Sequence, residues 1–157
     1  MTSFSTVIEA FLGKITDDMY LEITKEETLS AAKDYIVGAI PFFEFPKADI
    51  YNYSLDNATF NVDLSAEEIN IIATYMVTCW IDQQLASIEV TRMKYTGTDW
   101  KMTSQANHMN KLLSTKNDYI QKGFHLQRVY KRHRREEGTF ASTISDLRLG
   151  KKVPYGN

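Results

Sequence analysis

SAEEINIIATYMVTCWIDQQLASIEVTRM, residues 65–93, is the stretch that decides the fold. It opens on Ser65-Ala66-Glu67-Glu68, the spacing of a capping box, in which Ser and Glu each satisfy the other's free backbone N–H. Ile69, Ile72, Met76, Cys79, Leu85 and Ile88 then recur at helical spacing to about Met93, and Trp80 and Ile81 widen the stripe. Neither Gly nor Pro interrupts it. So long a helix with so broad an apolar face predicts the centre of a mainly α fold.

Working toward the N-terminus, residues 41–64 change character. They hold Phe42, Phe43, Phe45, Tyr51, Tyr53 and Phe60 among prolines and Ser/Asn/Asp punctuation. Ile50–Tyr53 and Thr59–Val62 alternate like short strands, with Leu55–Ala58 as the turn, so a small aromatic β-hairpin or loop is expected. Its aromatics either cap the helical core or form a contact loop of Phe42, Phe43, Phe45, Tyr51 and Tyr53, a composition that suits interfaces. Before it, Thr24-Lys25-Glu26-Glu27 repeats the capping box, and Leu29, Ala32, Ile36 and Ile40 predict one helix over Lys25–Ala39. Pro41 should end it by pushing Ile40 out of the helical region. Thr6-Val7-Ile8-Glu9 has the same box spacing and predicts the start of a short first helix with Val7, Ile8, Phe11, Leu12 and Ile15 on one face. Asp17-Asp18 open a turn or a short helical piece through Ile23.

Toward the C-terminus, Thr96-Gly97-Thr98-Asp99 reads as a turn, and Trp100 and Met102 lead into a long helix over Ser104–Arg135. Ala106, Met109, Leu112, Leu113, Ile120 and Phe124 keep an apolar stripe, which Val129 and Tyr130 extend. Gly123 is a weak point, costing about 1 kcal/mol against Ala, and marks a kink or a close crossing. The helix ends in Lys131-Arg132-His133-Arg134-Arg135. Residues 136–157 are polar and Gly-punctuated, with Phe140, Ile144, Leu147, Leu149, Val153 and Tyr155 too widely spaced to form a core. The expected organisation is a bundle of four to five helices over 1–135, followed by an extended arm over 136–157 that suits a groove on a partner.

The chain has 157 residues and a net charge of -2, but the charge is unevenly spread. Residues 1–89 carry 4 Lys+Arg against 15 Asp+Glu, and residues 90–157 carry 14 against 5. Such asymmetry suits a polyanion partner, head-to-tail packing of copies, or compensation within one fold. A single cysteine, Cys79, rules out an internal disulfide and reads as a small core residue in a reducing compartment. No leader and no 18-residue apolar stretch is visible, so no membrane role is expected.

No phosphate loop, nucleotide fingerprint or zinc-ligand spacing is present, and His108, His125 and His133 share no ligand spacing. The acid pairs Asp17-Asp18, Glu26-Glu27 and Glu67-Glu68 sit at helix starts, where they complement the helix dipole. Hence no enzyme activity, cofactor or metal is expected. Arg128, Lys131, Arg132 and Arg135 fall on one helix face at i, i+3, i+4 and i+7. That stripe suits sequence-blind phosphate contact, an acidic neighbouring subunit or plain solvation.

With those residues in view, the chain resembles the head–tail connector (adaptor, neck) proteins of tailed bacteriophages and prophages. The resemblance lies in Leu64–Ala73 (LSAEEINIIA), in Arg92–Ala106 (RMKYTGTDWKMTSQA) and in the basic helix end, and spans about Thr24 to Arg135. Residues 41–64 depart from it as a local elaboration. It implies a mostly helical virion protein made in the host bacterial cytoplasm. Such a protein forms a closed ring, usually of about a dozen copies, beneath the portal. The ring extends the channel for double-stranded DNA and docks other neck or tail proteins. In several such proteins a C-terminal segment reaches onto the portal. Here that maps onto the arm from Thr139 to Tyr155, with Phe140, Ile144, Leu147, Val153 and Tyr155 as anchors. The alternative is a small helical nucleic-acid-binding packaging or regulatory factor that uses the Arg128–Arg135 stripe.

Overall fold

The structure, a computed structural model, describes residues 1–16, 24–94 and 99–135, without the side chains of 89–105 and 134–135. At its centre lies α4 (Ala66–Lys94). Ile71 to Thr78 are all buried, so this part of the helix meets protein on every side. Its polar members are satisfied locally: the Thr74 hydroxyl donates to the Asn70 carbonyl at 2.7 Å and that of Thr78 to the Tyr75 carbonyl at 2.7 Å. Ser65 and Glu68 form the predicted capping box, with the Glu68 N–H donating to Ser65 Oγ at 3.2 Å and the Ser65 N–H to Glu68 Oε2 at 2.9 Å.

Against α4 pack α1 (Phe4–Leu12), α3 (Ala32–Ala39) and α5 (Asp99–Arg135). Helix α5 runs antiparallel to α4. Lys116 pairs with Asp82 near the middle of the two helices, the Tyr130 hydroxyl donates to Glu68 at 2.8 Å near the start of α4 and the end of α5, and Gly123 meets Tyr75 between these points. A Cβ on Gly123 would lie 2.5 Å from Tyr75 Cζ, so the glycine marks a close helix crossing. The α4 side of the core is aromatic and aliphatic: Phe4, Phe11, Ile36, Phe43, Ile50, Phe60, Tyr75 and Trp80 are fully enclosed.

Several expected boundaries move, each for a physical reason. The first helix starts at Phe4 with Ser3 as its cap, its hydroxyl accepting from the Ser5 N–H at 3.2 Å. Thr6 therefore lies inside the helix and caps nothing, because Phe4 must be helical to reach the core. The helix expected over Lys25–Ala39 is two: α2 (Lys25–Ser30), opened by the Thr24–Glu27 capping box, and α3, separated at Ala31. The break turns Thr28 rather than Leu29 inward, where its hydroxyl accepts from Trp80 Nε1 at 3.0 Å; Leu29 is exposed. Ile40 keeps helical angles before Pro41, and Ile40–Phe42 form a 3-10 turn, so the proline tightens the helix end rather than expelling its neighbour. The last helix begins at Asp99, five residues before the expected start.

Residues 53–60 form a hairpin around the expected 55–58 turn, but its strands, β2 (Tyr53–Ser54) and β3 (Thr59–Phe60), are not the expected 50–53 and 59–62: residues 50–52 lie in a turn before β2, and 61–62 bend away after β3. Ala58 closes the turn with φ 50°, a left-handed conformation that L-residues rarely adopt. A third strand, β1 (Thr2–Ser3), pairs antiparallel with β3, with Thr2 opposite Phe60, giving the order β1-β3-β2. Phe4, Tyr53 and Phe60 cluster above it, with ring centroids 5.0 Å apart for Phe4–Phe60 and 6.2 Å for Phe4–Tyr53. The arm over 136–157 lies outside the described residues.

Candidate functional site

Two side chains on α5 and one on α4 fasten the aromatic segment to the end of the bundle. Glu68 is 3% exposed. Its Oε1 accepts from the Lys47 N–H (3.0 Å), the Ala48 N–H (3.0 Å) and the Tyr130 hydroxyl (2.8 Å). Its Oε2 accepts from the Ser65 N–H (2.9 Å) and hydroxyl (3.0 Å). Burial pushes the carboxyl up, but the Ala48 and Ser65 N–H donors, the Tyr130 hydroxyl and the Ser65 hydroxyl outweigh it and hold it below the usual carboxylate range. Gln127 makes a second clamp. Its amide oxygen accepts from the Glu44 N–H at 2.8 Å, and its Nε2 donates to the Phe42 carbonyl at 2.9 Å and to the Tyr75 hydroxyl at 2.5 Å. Phe42 stacks on Tyr75 with centroids 5.4 Å apart and planes 18° from parallel.

This fastening leaves a cleft of about 340 Å³ between the 43–45 segment and α5. Phe45, 53% exposed, and Phe124, 43% exposed, line it together with Glu44, Gln121, Arg128 and Lys131. Lys131 Nζ stands 4.4 Å from the Phe45 ring centroid, a cation–π contact. A second concavity of about 520 Å³, lined by His125, Arg128, Lys131 and Arg132, shares Arg128 and Lys131 with the first. Among the described residues no carboxylate pairs with Arg128, Lys131 or Arg132. The neighbouring His133 Nδ1 does meet Glu67 Oε1 at 2.7 Å, tying the end of α5 to the first turn of α4.

The structure thus brings together two features that the sequence left apart: the basic stripe and part of the aromatic loop. Arg128, Lys131 and Arg132 share the exposed face expected of them; Arg135 belongs to α5, but its side chain lies outside the described residues. The five aromatics divide. Phe42, Phe45 and Tyr51 are exposed, whereas Phe43 is buried against Tyr130 (centroids 5.5 Å) and Tyr53 is half-buried against Phe4 and Phe60. Phe43 is therefore a packing residue and Tyr53 partly one, because the Phe43 ring meets Tyr130 and the Tyr53 ring meets Phe4 and Phe60. Phe124, expected on the apolar stripe, points into the cleft instead. Sequence reasoning passed over Gln127 and treated Glu68 only as a helix cap; the capping box signalled one of the carboxylate's oxygens but not the loop held by the other. The anchors Phe140, Ile144, Leu147, Val153 and Tyr155 lie outside the described residues.

Cys79 is half-buried against Gly38, and burial pushes its thiol up, away from the reactive thiolate. Among the described residues no group of three His, Cys, Asp or Glu side chains is placed to hold a metal, and no helix is long and apolar enough to cross a membrane. No family model, curated protein or solved structure matches the chain.

Proposed function

We propose that this chain is a structural virion protein, a head–tail connector that forms a ring between portal and tail in a tailed phage or prophage particle. The observation that supports this best is the exposed face of Arg128, Lys131 and Arg132 at the end of α5, unpaired with any carboxylate among the described residues. The same chain carries 15 Asp+Glu against 4 Lys+Arg in residues 1–89. A ring joins one face of a subunit to a different face of the next, and opposite charges on those faces supply both attraction and register. Residues of the face that border the channel would meet passing double-stranded DNA without reading sequence. The 139–155 arm would dock on the portal through its widely spaced apolar residues.

Quantitative mass spectrometry of purified particles from the source tests this. About a dozen copies per particle, the ring size that the resemblance implies and one that closed cyclic symmetry permits, is the expected result. A chain found only in induced cells and never in particles would sink the connector. The same cationic face supports a second reading, a nucleic-acid-binding packaging or regulatory factor; duplex binding by the isolated chain, lost on Arg128→Gln, Lys131→Gln and Arg132→Gln, would favour it.

A further inference from the structure

A cation stripe by itself suits any polyanion. What narrows the choice here is the cleft that it borders. Phe45 from the 43–45 segment, with Lys131 against its ring, and Phe124 from α5 are both exposed residues that line the same cleft, while Arg128 and Lys131 belong both to that cleft and to the adjoining concavity with His125 and Arg132. Flat apolar rings beside a row of cations match a ligand that alternates flat apolar faces with anions. The volume of about 340 Å³ is that of a pocket for one small planar group rather than for a helix. Glu44 lines the cleft too, which disfavours a carboxylate side chain there but leaves a neutral base unopposed. Duplex DNA keeps its bases stacked inside and could use only the cations.

We propose that the cleft is a site for single-stranded nucleic acid: one base stacks against Phe45 and Phe124, and the flanking phosphates lie on Arg128, Lys131 and Arg132. The stacking is sequence-tolerant, since every base offers a π-face. Lys131 holds Phe45 in place while presenting its charge to the backbone. The site does not rest on the connector proposal: particle copy number and strand preference are independent readouts, and either can fail alone.

Fluorescence anisotropy of the full chain with labelled oligothymidine, with a duplex of equal length and with polyglutamate as competitor tests it. The single strand should bind more tightly than the duplex. Three phosphate contacts should give a slope of log K against log salt of about -2, at roughly -0.7 per contact for a single strand. Phe45→Leu and Phe124→Leu should each weaken single-strand binding about tenfold with the slope unchanged. Arg128→Gln and Arg132→Gln should each flatten the slope by about 0.7. The two phenylalanines come from different segments, so if the melting temperature of one variant falls, the other still reports. Equal affinity for duplex and single strand, with no effect of either phenylalanine, overturns the proposal. So does polyglutamate that competes as well as oligothymidine, which would make the surface a site for an acidic protein.

Discussion

Glu68 holds a carboxylate out of water, and hydrogen bonds make that tolerable. Its folded-state pKa lies below the unfolded value, so its contribution is full above the ordinary glutamate pKa of about 4.3 and is lost as pH falls through the lower folded value. Glu68→Gln replaces one acceptor oxygen with an amide N–H that faces donors, and should lower unfolding free energy at pH 7 by about 2–3 kcal/mol. Urea titrations should show this gap closing in acid, where the wild-type carboxyl protonates; a gap constant with pH would show that ionisation is not what matters. Gly123→Ala should also destabilise. Overpacking against Tyr75 costs about 1–3 kcal/mol, only partly offset by the roughly 1 kcal/mol helix gain of alanine. Added stability in urea would mean that Tyr75 moves aside. The sequence already marked Gly123 as a kink or a close crossing, but which of the two held, and which residue waited opposite, depended on the antiparallel register of α4 and α5.

Among the elements, α4 was the most legible, since its capping box, length and apolar breadth all pointed one way. The first helix was misplaced by three residues because Ser3 and Thr6 both suit a cap, and only the demand that Phe4 reach the core decides between them. Ser3→Ala should cost about 1 kcal/mol in thermal or urea unfolding, whereas Thr6→Ala should change little; the reverse order would return the cap to Thr6. The break at Ala31 had no Gly or Pro to announce it, and it exists so that Thr28 can reach the Trp80 indole, a partner 52 residues away. The strand β1 was invisible for a similar reason. Two residues carry no alternation, and Thr2–Ser3 become a strand only because β3 offers them a paired edge.

At the scale of the whole molecule, α1, α3 and α5 pack around α4, and the uneven charge of the sequence reappears as a cationic face at the far end of α5. The candidate site was half legible. The stripe of Arg128, Lys131 and Arg132 follows from helical spacing alone, but its meeting with Phe45 requires the Glu68 and Gln127 clamps, which tie residues 62 and 83 positions apart. Deleting residues 139–157 should leave far-UV circular dichroism per residue and the melting temperature nearly unchanged while abolishing co-purification with the portal. A truncated chain that still docks would remove the arm from the assembly proposal.

The knot at Glu68 also sets an order in time. Synthesis proceeds from the N-terminus, so the 47–48 backbone and Ser65 emerge early, while Tyr130 arrives 62 residues after the carboxylate that it must meet. Until then Glu68 keeps access to water on its Tyr130 side, and Phe43 lacks the ring that covers it. The aromatic segment therefore cannot take its final seat until synthesis has passed Tyr130, so this part of the fold closes late, through contacts of high sequence separation.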